Sequence, residues 1–337
     1  MLFSRSDKSP SSPSNRSKGV LGDSPGLVPK IVPIEPIVSP LNLPQVTDIE
    51  LQRYADLIYR RTGVRISPQK KTLLSNRLRR RLKETGIRTY SDYYEYLTKL
   101  PPNHPEWDAF LQEITTHETY LFRDEVQWRW FREKFLPEMA ATQAGPIKTL
   151  RIWSAACSTG DEAFTAACCI AAALPDFRSW RITILGTDIG VAAVEQAKTA
   201  VFGERAMRLV PEDYKKRFFD KIPNAMVWRA KPILTGMTQF RQHNLMEPLR
   251  ERPFDLVFLK NVLIYFDNAS KQVVVKNVLN VLRPNGYLVV GPAEGVGDLL
   301  RNMRRSQPWL YQKEPEQVTP AATSPAGSLL GATEPRR

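Results

Sequence analysis

Three segments of this 337-residue chain place polar residues directly after apolar, strand-forming runs, where a small charged ligand could be held. The first is Leu150-Arg151-Ile152-Trp153-Ser154, followed by Ala155-Ala156-Cys157-Ser158-Thr159-Gly160-Asp161-Glu162. Small residues let a ligand approach the backbone, and the helix that follows offers free amides. The segment lacks the G-x-G-x-x-G spacing of a dinucleotide loop, and its two acids would repel a pyrophosphate. They suit a ligand with a positive group, such as the ammonium of a methionine moiety, although helix N-capping accounts for either acid alone. The second segment ends Gly186-Thr187-Asp188. An acid there can accept both hydroxyls of a ribose, in NAD and adenosylmethionine folds alike, or simply cap the next helix. The third is Lys260-Asn261-Val262-Leu263-Ile264-Tyr265-Phe266-Asp267. Asn261 and Tyr265 sit where the reacting end of a nucleoside would lie, unless Tyr265 is a half-buried packing residue. His243-Asn244-Leu245 is a fourth candidate, at a further expected strand end.

The elements that must position these loops alternate. Strands are expected at 150–154, 182–187, 255–259 and 287–291, and helices at 163–173, 191–200 and 269–282, the last stopped by Arg283-Pro284-Asn285-Gly286. Continuous apolar strands alternating with helices imply a buried parallel sheet whose ligands bind beyond the carboxyl ends of the strands. Residues 205–243 break the rhythm and read as a small antiparallel insertion containing the β-like pieces 225–229 and 238–241. Ahead of the sheet, residues 47–125 read as an all-helical domain. Thr47-Asp48-Ile49-Glu50 is a capping box with Val46 and Leu51 placed to staple it. Ser67-Pro68 opens a second helix that stops near Gly86, with Leu74, Leu78 and Leu82 as its apolar stripe. Further helices are expected over 91–97 and 107–114. The domain reading is therefore a Pro/Ser-rich disordered leader (1–46), the helical domain (47–125), the α/β domain (126–314) and a disordered tail (315–337).

Lys and Arg outnumber Asp and Glu to give a net charge of +13, and the excess is local. Between Lys70 and Arg88 stand eight basic residues and one acid, Glu84, on one expected helix. That favours a docking face for an acidic partner over a diffuse surface property. No apolar run reaches the ~18–20 residues of a membrane span, and no secretory signal is visible at the start, so a cytoplasmic protein is expected. The three cysteines, Cys157, Cys168 and Cys169, cluster too closely for a disulfide framework and read as buried thiols. His104, His117 and His243 are scattered without metal-ligand spacing, so no metal is expected.

The segments together resemble a known family. Ile114-Thr115-Thr116-His117-Glu118-Thr119-Tyr120-Leu121-Phe122-Arg123 is similar to the "TTNxTxFFR" signature of the chemotaxis receptor glutamate methyltransferases, the CheR family. Residues 151–162 resemble its "RVWSAACSTGEE", Thr187-Asp188-Ile189 its "SDID", residues 254–267 its "FDxIFCRNVLIYFD", and 282–288 its "LxPGGxL". The blocks fall in the family's order across about residues 47–313. The resemblance implies a Rossmann-like S-adenosylmethionine-dependent methyltransferase sheet with a helical N-terminal domain. It implies cofactor contacts from His117, Thr119, Arg123, Glu162, Asp188, Asn244, Leu245, Asn261 and Val262, with Tyr265 near the transferred methyl. It also implies that Arg77, Arg79, Arg80 and Arg81 dock on the acidic methylation region of a methyl-accepting receptor, whose glutamates become methyl esters.

The chain departs from the pattern at several positions. His117 stands in place of asparagine, Lys260 in place of arginine, Asp161 in place of the first glutamate of the pair, and Gly291-Pro292-Ala293-Glu294 in place of "GHSE". The sheet after Gly291 reads as shortened. No helical repeat array follows, which leaves open a receptor outside motility as the substrate. Two rivals stand beside this reading: a nucleic-acid methyltransferase, for which the charge fits but an N-P-P-Y-type loop is missing, and a non-catalytic scaffold on the same fold. A carboxylate substrate, ionised at neutral pH with a reference pKa near about 4.3, needs no general base or metal.

Overall fold

The computed structural model describes residues 43–142 and 147–315. The expected leader and tail therefore lie almost wholly outside the described residues. Residues 43–46 precede the expected start of order, yet two of them are already packed: Leu43 lies against the helical core and Val46 is buried.

Four helices form the first layer: α1 (Asp48–Thr62), α2 (Lys71–Thr85), α3 (Tyr90–Lys99) and α4 (Pro105–Ile114). The Thr47 hydroxyl accepts from the Glu50 amide at 3.2 Å while the Glu50 carboxylate accepts from the Thr47 amide at 2.8 Å, so the capping box is formed. Gly63 and Gly86 close α1 and α2 in the left-handed conformation. Leu74, Leu78 and Leu82 face a separate core with Tyr54, Tyr93 and Phe110. Residues 115–124 then cross to the sheet. Next come α5 (Glu125–Trp130), a single wide π turn (Phe131–Phe135) and α6 (Leu136–Thr142). No helix was expected over this stretch. The wide turn leads into Pro137, which has no amide to donate, and Trp128, Phe131, Phe135 and Leu136 bury one face against the sheet.

The remainder follows in chain order: β1 (Lys148–Ala155), α7 (Asp161–Ala173), β2 (Trp180–Asp188), α8 (Val191–Thr199), β3 (Val201–Gly203), α9 (Glu204–Met207), α10 (Glu212–Phe218), β4 (Phe219–Lys221), β5 (Val227–Ala230), α11 (Pro232–Thr235), β6 (Thr238–Gln242), β7 (Phe254–Leu259), α12 (Asn268–Asn280), β8 (Leu282–Val290), β9 (Met303–Gln307) and β10 (Leu310–Lys313). The large sheet has the order β6-β2-β1-β7-β8-β10-β9, parallel from β6 to β8 and antiparallel thereafter. From β1 the chain steps to β2 on one side and later to β7 on the other. The crevice at that reversal is where such sheets bind ligands.

Three expectations are corrected. The small antiparallel sheet β3-β5-β4 exists, but β6 is not part of it: it is an edge strand parallel to β2. Arg283-Pro284-Asn285-Gly286 does not cap a helix. α12 ends at Asn280, and the four residues lie within β8, where Asn285 takes φ 62° and the register with β7 shifts. The sheet is not shortened after Gly291, because β9 and β10 extend it as an antiparallel hairpin.

Candidate active site

Four strand ends and the crossing segment 115–124 converge on one cleft. Lining it are His117, Thr119, Arg123, Glu162, Asp188, Asn244, Leu245, Asn261, Val262 and Tyr265, together with Arg77. After β1 the backbone turns sharply, with Ala156, Ser158 and Gly160 all at positive φ. The turn brings the Ser158 amide to Asp188, whose Oδ2 accepts it at 2.8 Å; Oδ1 accepts the Gly190 amide at 2.9 Å. Both Asp188 oxygens are thus fixed by backbone while each retains lone pairs for a ligand. Glu162 accepts from the Ser154 hydroxyl at 2.7 Å.

Lys260, the residue directly after β7, was noted in the sequence only as a departure, yet it organises this wall. Its ammonium is buried, 3.2 Å from Asp124 and 3.4 Å from Glu162, and lies 5.3 Å from the centre of the Trp128 ring. A buried cation must be paired to be tolerated, and these two acids pair it. The visible clue was a lysine closing an otherwise apolar strand. Asn244 has both ends of its amide engaged: Nδ2 donates to the Arg61 carbonyl at 2.8 Å and Oδ1 accepts the Met246 amide at 3.1 Å. It ties α1 to the sheet, and each end of the amide keeps one further hydrogen-bonding position at the cleft.

The crossing segment is clipped from two sides. From α2, Arg77 donates to the Ile114 carbonyl and, at 3.0 Å, to the Thr116 hydroxyl. From α9, Arg205 pairs with Glu118, the Leu121 amide donates to the Ala206 carbonyl at 3.1 Å, and the Arg208 guanidinium lies 3.5 Å from the centre of the Tyr120 ring. His117 sits beneath this strap. Its Nε2 is 2.6 Å from the Thr115 hydroxyl and its Nδ1 is 3.6 Å from Asp188. Burial pulls its pKa below the ordinary value; Asp188 pushes it back up and Arg77 adds to the lowering.

The four candidate docking arginines part company. Arg80 projects from α2 with 65% of its side chain exposed and one partner, Glu113, at 3.1 Å. Arg77 faces the cleft. Arg79 is half-buried and donates to the Leu43 carbonyl at 3.0 Å and to Asn76. Arg81 cannot dock: only 9% of its side chain is exposed, and it is paired with Glu106 at 2.7 Å and with Glu84. Its position three residues after Leu78 and seven after Leu74 puts it on the buried stripe.

Residues 117–308 match the family described as CheR methyltransferase, SAM binding domain, and residues 49–115 match CheR methyltransferase, all-alpha domain. The chain belongs to the CheR methyltransferase family. A chemotaxis protein methyltransferase of Salmonella typhimurium is 30% identical over 76% of this chain and 87% of its own length. One of Borreliella burgdorferi is 28% identical over 80% and 95%, and chemotaxis protein methyltransferase 2 of Pseudomonas aeruginosa 30% over 73% and 86%.

The CheR chain is a methyltransferase that uses S-adenosylmethionine, and its cleft suits that cofactor. Two acids face the cleft, Glu162 from the first turn of α7 beyond β1 and Asp188 from the end of β2. Leu245 and Val262 add apolar surface to its lining. His243 lines the same cleft, and its buried Nε2 has no hydrogen-bond partner.

Proposed function

We propose that this protein transfers the methyl of S-adenosylmethionine to glutamate side chains in the cytoplasmic domain of methyl-accepting receptors, forming methyl esters that set adaptation in a chemosensory pathway, and that it works in the cytoplasm. The observation that carries this is the polarity of the cleft. Its sheet wall presents Glu162 and Asp188, with the Lys260 charge taken up by Asp124 and Glu162, while its helical wall presents the cations Lys70 and Arg77 beside Tyr265. The Lys70 ammonium lies 5.2 Å from the centre of the Tyr265 ring. A carboxylate entering from the helical side meets positive charge as it sheds water, which offsets part of the cost of burying it. The names of the relatives above, and the absence among the described residues of any helix long and apolar enough to cross a membrane, agree with this reading.

When bound, the cofactor supplies a methyl on a sulfonium, an electrophile that an ionised carboxylate can attack unaided. The chain's residues therefore have a positioning task. Glu162, Asp188, Asn244, Leu245 and the Asn261–Val262 turn hold the donor. The strap of residues 115–124, with Thr119 and Arg123, covers it and excludes water. Tyr265 orients the incoming carboxylate, and Lys70 and Arg77 receive its charge. Arg80 supplies the exposed docking charge.

The test is transfer of tritiated methyl from S-adenosylmethionine to a receptor cytoplasmic fragment. The expected label is lost in mild base, as an ester must be. Base-stable label would mean nitrogen or nucleic-acid methylation, and cofactor binding without any label would mean a scaffold.

A further inference from the structure

The segment between β7 and α12 carries Asn261, Val262 and Tyr265 but has little regular structure of its own. Asn261 lies at φ 58°, and a single short 3-10 turn spans Leu263–Tyr265. What fixes the segment comes from beyond the next strand. Glu294, in the loop after β8, is only 1% exposed and points its carboxylate into the bend. Oε1 accepts the Val262 amide at 3.3 Å and Oε2 the Ile264 amide at 3.1 Å. Burial pushes the Glu294 carboxyl up from its ordinary value, and the amides of Asn261, Val262, Leu263 and Ile264 pull it back towards the charged form. Four successive amides around one anion make a nest, here filled by the protein's own side chain.

The neighbourhood is built to this fit. A Cβ at Gly291 would stand 2.7 Å from Glu294 Oε1 and 3.2 Å from the Asn261 amide nitrogen, so only glycine leaves room for the carboxylate and the bend together. The Lys271 ammonium, from α12, donates to the Glu294 carbonyl at 2.7 Å and anchors its backbone. Glu294 is not among the residues that line the cleft.

We propose that Glu294 is a positioning residue for methyl transfer: its carboxylate is the internal anion that shapes the Asn261–Tyr265 backbone and so places Tyr265 against the incoming carboxylate. This rests on the role of Tyr265 given above. A glutamine at 294 keeps the shape but turns an NH2 towards one of the amides, so the bend loses an acceptor and relaxes. Displacement of a positioned group by an ångström costs about 100-fold in rate.

The experiment is a double-mutant cycle in the full chain at saturating S-adenosylmethionine, with kcat and KM for a receptor fragment measured for wild type, E294Q, Tyr265→Phe and the pair. We expect E294Q to lower kcat by about 100-fold with KM for the fragment unchanged, and to add nothing further once Tyr265 is phenylalanine. Losses that multiply in full in the pair, an unchanged kcat in E294Q, or a loss confined to KM would each overturn the proposal. If E294Q does not fold, the same cycle is run with Glu294→Asp, which keeps the anion on a shorter arm, under the same criteria. Failure of the functional reading looks different: wild type itself then esterifies no glutamate.

Discussion

Buried charge in two regions of this protein means something different in each. In the helical layer, Arg81 and Glu106 pair at 2.7 Å inside a core of leucines and aromatic rings, and the Tyr93 hydroxyl donates to the same carboxylate. None of the three faces the cleft. At the carboxyl edge of the sheet, Lys260 and Asp188 are also buried and Glu162 is half-buried, yet all three line the cleft. Burial alone therefore does not mark a functional charge; burial beside an opening does. The same helix, α2, shows the point within one step of sequence, because Arg80 is displayed to solvent while Arg81 is locked into the core.

Removing one member of each group should separate the two regions. Arg81→Ala leaves the Glu106 carboxylate buried without its cation, a change that costs about 3–5 kcal/mol of folding stability. Urea unfolding should show that loss, while calorimetry on the folded fraction should find cofactor affinity unchanged. Asp188→Ala should do the reverse: affinity for S-adenosylmethionine or its demethylated product falls by roughly 1–3 kcal/mol, the range for losing a buried hydrogen-bond partner, with a smaller effect on the urea midpoint. Equal stability losses in both variants would erase the distinction.

Much of this was legible in the sequence because local signals agreed with the fold. The capping box at Thr47–Glu50, the glycine stop at Gly86, and the continuous apolar strands β1, β2 and β7 each state their element outright. The loops after those strands follow from topology, so residues far apart in sequence could be expected in one cleft. What misled were signals that tertiary context overrode. Pro284-Asn285-Gly286 has turn chemistry but is absorbed as an irregularity in β8, where Asn285 tolerates positive φ and its carbonyl accepts from Gln312 at 3.1 Å. β9, Met-Arg-Arg-Ser-Gln, is an exposed edge strand with almost no apolar face to betray it. Arg81 was readable from its phase on the Leu74–Leu78 stripe, but a run of arginines invites counting charge rather than following the helix. Glu294 stood out only as the end of the block set against "GHSE", and nothing local showed its role, because the amides it serves lie about thirty residues earlier.

A smaller effect is expected on the displayed side of α2. Arg80→Glu places an acid next to Glu113 and repels an acidic receptor fragment, so methylation should slow by about tenfold at low salt, with the deficit shrinking as salt rises. Cofactor affinity should not change. A salt-independent deficit would mean that Arg80 acts through the fold and not through long-range attraction.

The smallest effect concerns His117, which touches both regions: it descends from the strap that α2 and α9 clip, and it faces Asp188. Its pKa lies below the ordinary 6.5, so the ring is neutral at pH 7. The unfolded chain takes up the proton at higher pH than the folded one, so this residue's contribution to stability is complete above the ordinary value and is lost as pH falls towards the folded one. As pH falls on through the folded value, the ring takes up its proton, pairs with Asp188 and competes for the lone pairs that a ribose would use. Cofactor affinity should therefore fall on acidification below the ordinary histidine value, by less than about tenfold per pH unit. In His117→Asn, which cannot be protonated, the curve should be flat through that window. An identical acid limb in the variant would assign the proton to another group, with the buried Glu294 carboxyl the next to test, since burial raises its pKa and its protonation would loosen the same cleft from the other side.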